Sequence, residues 1–357
     1  MFWNAPFFAA EIDLRGSEFI AFTNFKSFEE IPDPAASVNV YASPTLEAGL
    51  DWDELIVSWN LRENARGDFE PRIRVVFPER ASRWYSLGLW SARTNQTRAS
   101  VPDQRDGDGE VKTDTLKLSG AAKQFQVQLR LRGGLSLRDL KLLGISLHRT
   151  GTRVPGLPSN RAGWDWTLDV PEISQFSFAE GKGWCSPTCT AMVLRYWSAK
   201  LGRPELNCEV PRVAAEVNDP NWPGTGNWPF NTAFAGAFSG MRAYVTRLSG
   251  IAEIEAWVGA GVPVIASVSL GLLQGDASKN RGHLIVCRGF TAAGEPIIND
   301  PGTRLSVRKT ITRETLEKAW GASNRTVYLI YPESWPVPPD RFHHWAERAP
   351  KAAQRGK

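Results

Sequence analysis

Long apolar runs, histidines and cysteines are all scarce in this chain of 357 residues, and each scarcity removes a class of function. The longest apolar stretch, Val262 to Leu273, contains Pro263 and two serines and is far shorter than the roughly 20 residues a membrane-spanning helix needs. No membrane span is expected. Cys185, Cys189, Cys208 and Cys287 are too few for a disulfide scaffold of this length, and they fix neither a pairing nor a redox compartment. The formal net charge is only +4, most of it in residues 336–357, so the remainder is close to neutral. Without a basic field, nucleic acid is not an expected partner. Met1 to Ile12 lacks the basic start and apolar core of a secretion signal. The chain as it stands reads as cytoplasmic, and as extracellular if a signal has been removed.

What is present is a globular composition, 42% apolar and 22% charged, over a length that at about 100–200 residues per domain suggests two domains. In the first, residues 1–150, Phe125, Val127, Leu129 and Leu131 alternate strictly with polar residues, the period-two pattern of a sheet with one wet face. Leu55, Val57 and Trp59 repeat it, as do Ile73, Val75 and Phe77, with Gly, Pro and Asp between the runs. Many short strands with no helical pattern between them predict an all-β antiparallel sandwich. Residues 151–160 read as a linker, residues 161–335 as an α+β domain, and residues 336–357 as an extended or disordered Pro-rich and basic tail.

Chemistry concentrates in the second domain. The segment Gly183-Trp184-Cys185-Ser186-Pro187-Thr188-Cys189 opens a helical pattern, with Ser186 as a good N-cap and Pro187 at the first helical position. Cys185 then lies at a helix N-terminus, where the macrodipole and unpaired N–H groups favour a thiolate. The residues equally allow a buried structural cysteine there. Histidine counting separates the two. Of His148, His283, His343 and His344, only His283 falls inside the second domain. It opens an apolar strand, His283 to Phe290, followed by a turn and a second strand ending at Asn299-Asp300. A hairpin would return those two residues close to His283, where one of them can hold the imidazole in the tautomer that takes a proton from a thiol. Adjacent strand residues point to opposite faces, so only one can serve. Asp300 is preferred, because its charge stabilises an imidazolium. Cys189, one turn into the helix, belongs to the packed face. A zinc site is not expected, since His283 and Cys287 on one strand lie about 13 Å apart.

Three motifs together resemble the C39-like branch of the papain-fold cysteine peptidases of bacteria. They are Trp184-Cys185-Ser186-Pro187-Thr188, then Gly224-Thr225-Gly226-Asn227-Trp228-Pro229-Phe230-Asn231-Thr232-Ala233, then Gly282-His283-Leu284-Ile285-Val286 with Asn299-Asp300-Pro301. The resemblance covers nearly half the chain. It implies a papain-like fold, Cys185 as nucleophile, His283 as base, Asp300 as orienting residue, a peptide or protein substrate and no cofactor. It also implies a glutamine that donates to the oxyanion. Gln175 is the candidate, although it stands ten residues before Cys185, further than the family usually places it. Trp184, Trp222, Asn227 and Trp228 are candidate substrate contacts in the flanking loops. Better-known relatives sit on ABC exporters and cut leader peptides after paired glycines. With no membrane helix and no Walker A sequence here, the chain looks more like the free-standing members that carry an N-terminal β-sandwich.

Two readings in the first domain stay structural. Asp103 to Gly109 gathers carboxylates and glycines, but its spacing is not that of a calcium loop, and a solvated acidic turn is preferred. Trp59, Trp84 and Trp90 read as sheet packing ahead of a carbohydrate platform. An acyltransferase using the same thioester, or an inactive papain-like module that binds peptide or glycan, are the competing functions. Oligomeric state is not expressed in the sequence.

Overall fold

The structure is a computed structural model describing residues 13–33, 37–92, 98–222, 224–276, 278, 281–347 and 351–352. Its first half carries the strands β1 (Ser17–Phe22), β2 (Glu29–Ile31), β3 (Val38–Ala42), β4 (Leu46–Leu61) and β5 (Asp68–Val76). The short β6 (Tyr85–Ser86) and β7 (Trp90–Ser91), then β8 (Gly109–Lys112), β9 (Thr115–Arg132) and β10 (Leu140–His148), follow. All pair antiparallel, in the order β1-β10-β4-β9-β3-β2 with β5 and β8 also on β9. The expected sandwich is hydrogen-bonded here as one sheet, because β4 and β9 are long enough to change partners along their length. β4 pairs with β9 from Leu46 to Ile56, with register shifts on either side of Trp52, and with β10 from Glu54 to Leu61. The alternation read from Phe125 to Leu131 is real: all four apolar residues are buried.

The second half holds short 3-10 turns, the short β11 (Trp166–Thr167), α1 (Cys185–Leu201), α2 (Val210–Glu216), α3 (Trp228–Ala237), β12 (Met241–Arg247) and α4 (Ile251–Gly259). β13 (Val264–Ser269), α5 (Leu270–Leu273), β14 (Gly282–Phe290), β15 (Pro296–Asn299), β16 (Arg308–Thr310), α6 (Arg313–Gly321) and β17 (Thr326–Pro332) complete it. The strands form a second antiparallel sheet ordered β12-β17-β13-β14-β15-β16. α1 is buried almost all round, by Cys189, Met192, Val193, Leu194 and Trp197 among others, as expected of a helix running through a core.

The two halves are stitched along β4. β12 lies at the end of its sheet, and its outer edge is occupied by β4 side chains: Asn60 bonds both the carbonyl and the N–H of Ala243, and the Ser58 hydroxyl accepts from Val245 N–H. A polar side chain thus ends what would otherwise be an open strand edge. α3 presses on the same strand closely enough that a Cβ at Gly236 would lie 2.1 Å from Asn60 Nδ2. Trp59 and Trp90, buried as expected, meet Phe230 of α3 at 6.2 and 5.3 Å between ring centres. The acidic turn is tied up by protein partners, Asp106 by Tyr85 and Arg83 and Asp108 by Arg80.

The expectation of an extended or disordered tail is corrected for residues 336–347, which pack against the rest of the chain. Phe342, His344 and Trp345 are buried there, Asp340 accepts the N–H groups of His344, Trp345 and Ala346, and Phe19 N–H bonds the carbonyl of His343. Three ring side chains supply more burial than the surrounding prolines and basic residues suggest. Beyond them, Lys351–Ala352 pairs with β4.

Candidate active site

α1 delivers Cys185. Gly183 has φ +92°, a turn conformation that L residues rarely adopt, and Trp184 at φ −89° and ψ 27° is the residue before the helix. The helix therefore starts two residues earlier than the sequence suggests, with Cys185 first. Ser186 is a correction: it does not cap the helix but is buried in its first turn, 2.9 Å from the Tyr328 hydroxyl. Pro187 sits third, where a helix still needs no N–H. With no side chain capping this end, its N–H groups are left for an anion.

β14 and β15 bring His283 and Asp300 together, with His283 Nε2 2.7 Å from Asp300 Oδ1. The register explains which neighbour of the Asn-Asp pair is used. Phe290 faces Pro296 and Gly289 faces Ile297, but Cys287 faces Ile298, so Arg288 is an extra residue on β14. Continued past this bulge, the register sets Asp300 opposite Ile285, on the face that carries His283 and one diagonal step from it. Without the extra residue, Asn299 would take that face. Asn299 instead ties the chain before Gln175 to the strand, donating to the carbonyls of Val170 and Pro171.

Asp300 is held on every side. Oδ1 also accepts from Gly302 N–H at 2.8 Å, and Oδ2 from Lys309 Nζ at 2.8 Å. Burial pushes this carboxyl up, but His283 and Lys309 outweigh it and hold it well below the usual carboxylate range. Burial likewise opposes the imidazolium, yet the bonds to Asp300 and Cys185 raise His283 to about 9. For the Cys185 thiol, burial raises the value, while the His283 imidazole and the N–H groups of Leu284 and Ser186 bring it below the ordinary thiol. These directions favour a thiolate beside an imidazolium. Nε2 is taken by Asp300, which leaves Nδ1 for the sulfur. Cys189, fully buried, has its thiol pushed well above the ordinary value by burial, Cys185 and Asp300. All four cysteines are free.

Cys185 lines a cleft of about 690 Å³. Trp184, Trp222 and Trp228 line it too, with Trp222 44% exposed. Asn227 is a correction: it is fully buried, caps α3 at Phe230 N–H and donates to Asp219, so it shapes the loop and is closed to substrate. Gln175 is 6% exposed, with its backbone N–H on the Pro301 carbonyl, next to Asp300, and its side-chain Oε1 without a hydrogen-bond partner among the described residues. Residues 176–184 fold back on themselves, with Phe178 and Trp184 in ring contact. Gly302, Lys309 and Asp114 were missed by the sequence reading. Asp300-Pro301-Gly302 was a turn signal for the first; nothing local marks the other two.

Two family models match stretches of the chain. Residues 167–328 match the Peptidase_C39 like family, and residues 32–138 match the Peptidase C39 N-terminal domain. A Bacillus anthracis crystal structure described as a C39-like peptidase is 19% identical over 46% of this chain and 98% of its own, with a TM-score of 0.36. A structure of carbohydrate-binding modules from the β-sandwich superfamily is 12% identical over 39% of this chain and 60% of its own, with a TM-score of 0.16. No curated protein matches. The cleft is not confined to the stretch matching the C39-like family: Lys112 to Thr115 and Lys117, from the hairpin of β8 and β9, line it together with residues of that stretch. Asp114 in this hairpin accepts the N–H of Trp228, the first residue of α3, at 2.7 Å. No helix among the described residues is long and apolar enough to cross a membrane.

Proposed function

We propose that the chain is a cysteine peptidase that hydrolyses peptide or closely related amide bonds through a thioester on Cys185. The observation that carries this reading is the buried 2.7 Å bond from His283 to Asp300, which leaves the other ring nitrogen to a thiol that opens a helix and lines a cleft. The Cys185 thiolate attacks the carbonyl carbon. The oxyanion that forms is held by the Cys185 N–H and the Gln175 side-chain amide. Collapse expels the amine, which takes its proton from His283. Neutral His283 then removes a proton from water, the hydroxide attacks the thioester, and the acid leaves while the thiolate is restored. Asp300 keeps the ring oriented and stabilises its charge, with Lys309 and Gly302 N–H fixing the carboxylate in turn.

We read residues 161–335 as a papain-like hydrolase, with the thiol on a helix and the histidine and carboxylate on the sheet beside it. Residues 151–160 join it to an accessory domain of residues 1–150. Access to Cys185 from an open cleft favours an enzyme over a closed binding module.

The test is the rate of Cys185 alkylation by iodoacetamide as a function of pH, read by mass spectrometry in the parent and in His283→Ala. A midpoint well below the free thiol value of about 8.5, lost in the variant, is expected. Cys185→Ala should abolish amide hydrolysis. An ordinary thiol unaffected by His283→Ala, or hydrolysis that survives Cys185→Ala, would overturn the reading.

A further inference from the structure

The cleft beside Cys185 is charged unevenly. Its carboxylates, Glu54 and Asp114, are already committed: Glu54 to Lys117, Arg247 and Asn324, and Asp114 to Trp228 N–H and the Thr115 hydroxyl. Lys112, on the hairpin wall, is held by Glu110. Lys182 and Arg281 are different. Both line the cleft, both are exposed, and neither side chain has an ion pair or hydrogen bond among the described residues. Lys182 precedes Cys185 by three residues and Arg281 precedes His283 by two, so each of these cations is close along the chain to a reacting residue. A third observation lies deeper. Arg247 lines the same cleft at 2% exposure, and its Nη1 is buried without a hydrogen-bond partner among the described residues. A buried guanidinium N–H left unpaired is costly, and a carboxylate arriving in the cleft is the group that would satisfy it best.

We propose that the substrate of this cleft is an acidic peptide, with Asp or Glu side chains near the scissile bond facing Lys182 and Arg281, and with the hairpin of β8 and β9 forming part of the cleft wall. The proposal rests on the cysteine peptidase reading and names its substrate class. Screening limits the attraction to charges within about 8 Å at physiological salt, so the selected carboxylates lie within a few residues of the bond cut. The hairpin gives the first domain a role at the site. Its position is fixed because β9 is built into the first sheet and Asp114 is bonded to the start of α3.

The test uses the full chain carrying Cys185→Ala, which binds without turnover. Short Gly- and Ser-rich peptides with a neutral fluorophore, identical except for carrying glutamate, glutamine or lysine, are titrated by fluorescence anisotropy. The glutamate peptide should bind about tenfold tighter than the glutamine one and the lysine peptide weakest, with the preference shrinking as salt rises. Lys182→Glu and Arg281→Glu should each reduce it about threefold to fivefold, with thermal melting unchanged because both side chains are exposed. Equal affinities, no binding of any peptide, or a preference that survives both reversals would overturn the proposal. Alkylation of the parent by uncharged iodoacetamide reports on the reactive pair alone. A fast, His283-dependent reaction combined with indifference to peptide charge rejects the acidic substrate and leaves the peptidase reading standing. A sluggish thiol rejects the peptidase reading itself.

Discussion

Gly302 shows how little room there is around His283. A Cβ at this position would lie 2.8 Å from His283 Cε1, closer than Cβ atoms come, and a tight 3.0 Å from Nε2 and 3.1 Å from Asp300 Oδ1. Its N–H at the same time supports Asp300 Oδ1. Gly302→Ala should therefore push the ring and carboxylate apart without touching the substrate cleft directly. We expect kcat to fall about tenfold to a hundredfold with KM little changed, since small displacements of a general base are expensive. The Cys185 alkylation midpoint should rise toward that of a free thiol. Unchanged kcat, together with an unchanged midpoint, would show that the imidazole tolerates the methyl group. In the parent, the thiolate–imidazolium pair forms as pH rises through the lowered thiol value and is lost as His283 gives up its proton near 9.

Between elements, the contact that matters most for the cleft is Asp114, on the turn between β8 and β9, against the start of α3. Burial raises this carboxyl from 3.8 to about 6, while the bonds from Trp228 N–H and the Thr115 hydroxyl oppose the rise. Because the folded value exceeds the unfolded one, the carboxyl favours folding most below 3.8, and that contribution declines as pH rises to about 6. Asp114→Asn keeps an acceptor for Trp228 N–H and removes the decline. Comparing Tm values across this window, the parent should lose stability relative to the variant as pH rises; parallel curves would mean that Asp114 is not protonated there. The elements that meet at this site were unequally legible. α1 and β14 could be read because a helical apolar face and an unbroken apolar strand leave a periodic signal, and because His283 was the sole histidine available to them. The bulge at Arg288 could not. One inserted residue carries no composition signal, and the preference for Asp300 came from its charge, whereas in the fold the register selects it. The β8 and β9 hairpin was invisible for a different reason: its place in the cleft depends on contacts between residues more than 100 positions apart in the chain.

At the scale of the molecule, the two halves are held by β4 on one side and by the C-terminal segment on the other. Periodicity revealed the first sheet, but composition concealed this segment, because prolines and basic residues dominate the stretch that contains Phe342, His344 and Trp345. His344 is the centre of the clasp. Its Nδ1 lies 2.9 Å from Glu253 Oε1 on α4 and its Nε2 3.0 Å from the Leu14 carbonyl before β1, so both ring nitrogens face acceptors. A neutral ring can donate to only one of them, and the fully buried pair therefore calls for an imidazolium. Burial opposes that charge, but Glu253 and the Leu14 carbonyl overcome it and raise the ring above its ordinary 6.5. The sign follows from the direction of the shift: the stabilisation is complete below 6.5 and disappears as pH rises through the higher folded value. His344→Gln should cost about 2 kcal/mol on the acid side, where charged hydrogen bonds are lost, and progressively less as the parent's ring deprotonates. Thermal melts of both proteins would then converge with rising pH. Limited proteolysis should cut the variant after Trp335 at acidic pH while sparing the parent. A difference between the two that is independent of pH would mean that His344 is held neutral and that the segment is anchored by Trp345, whose ring contacts Trp257 and whose indole N–H bonds the Pro338 carbonyl.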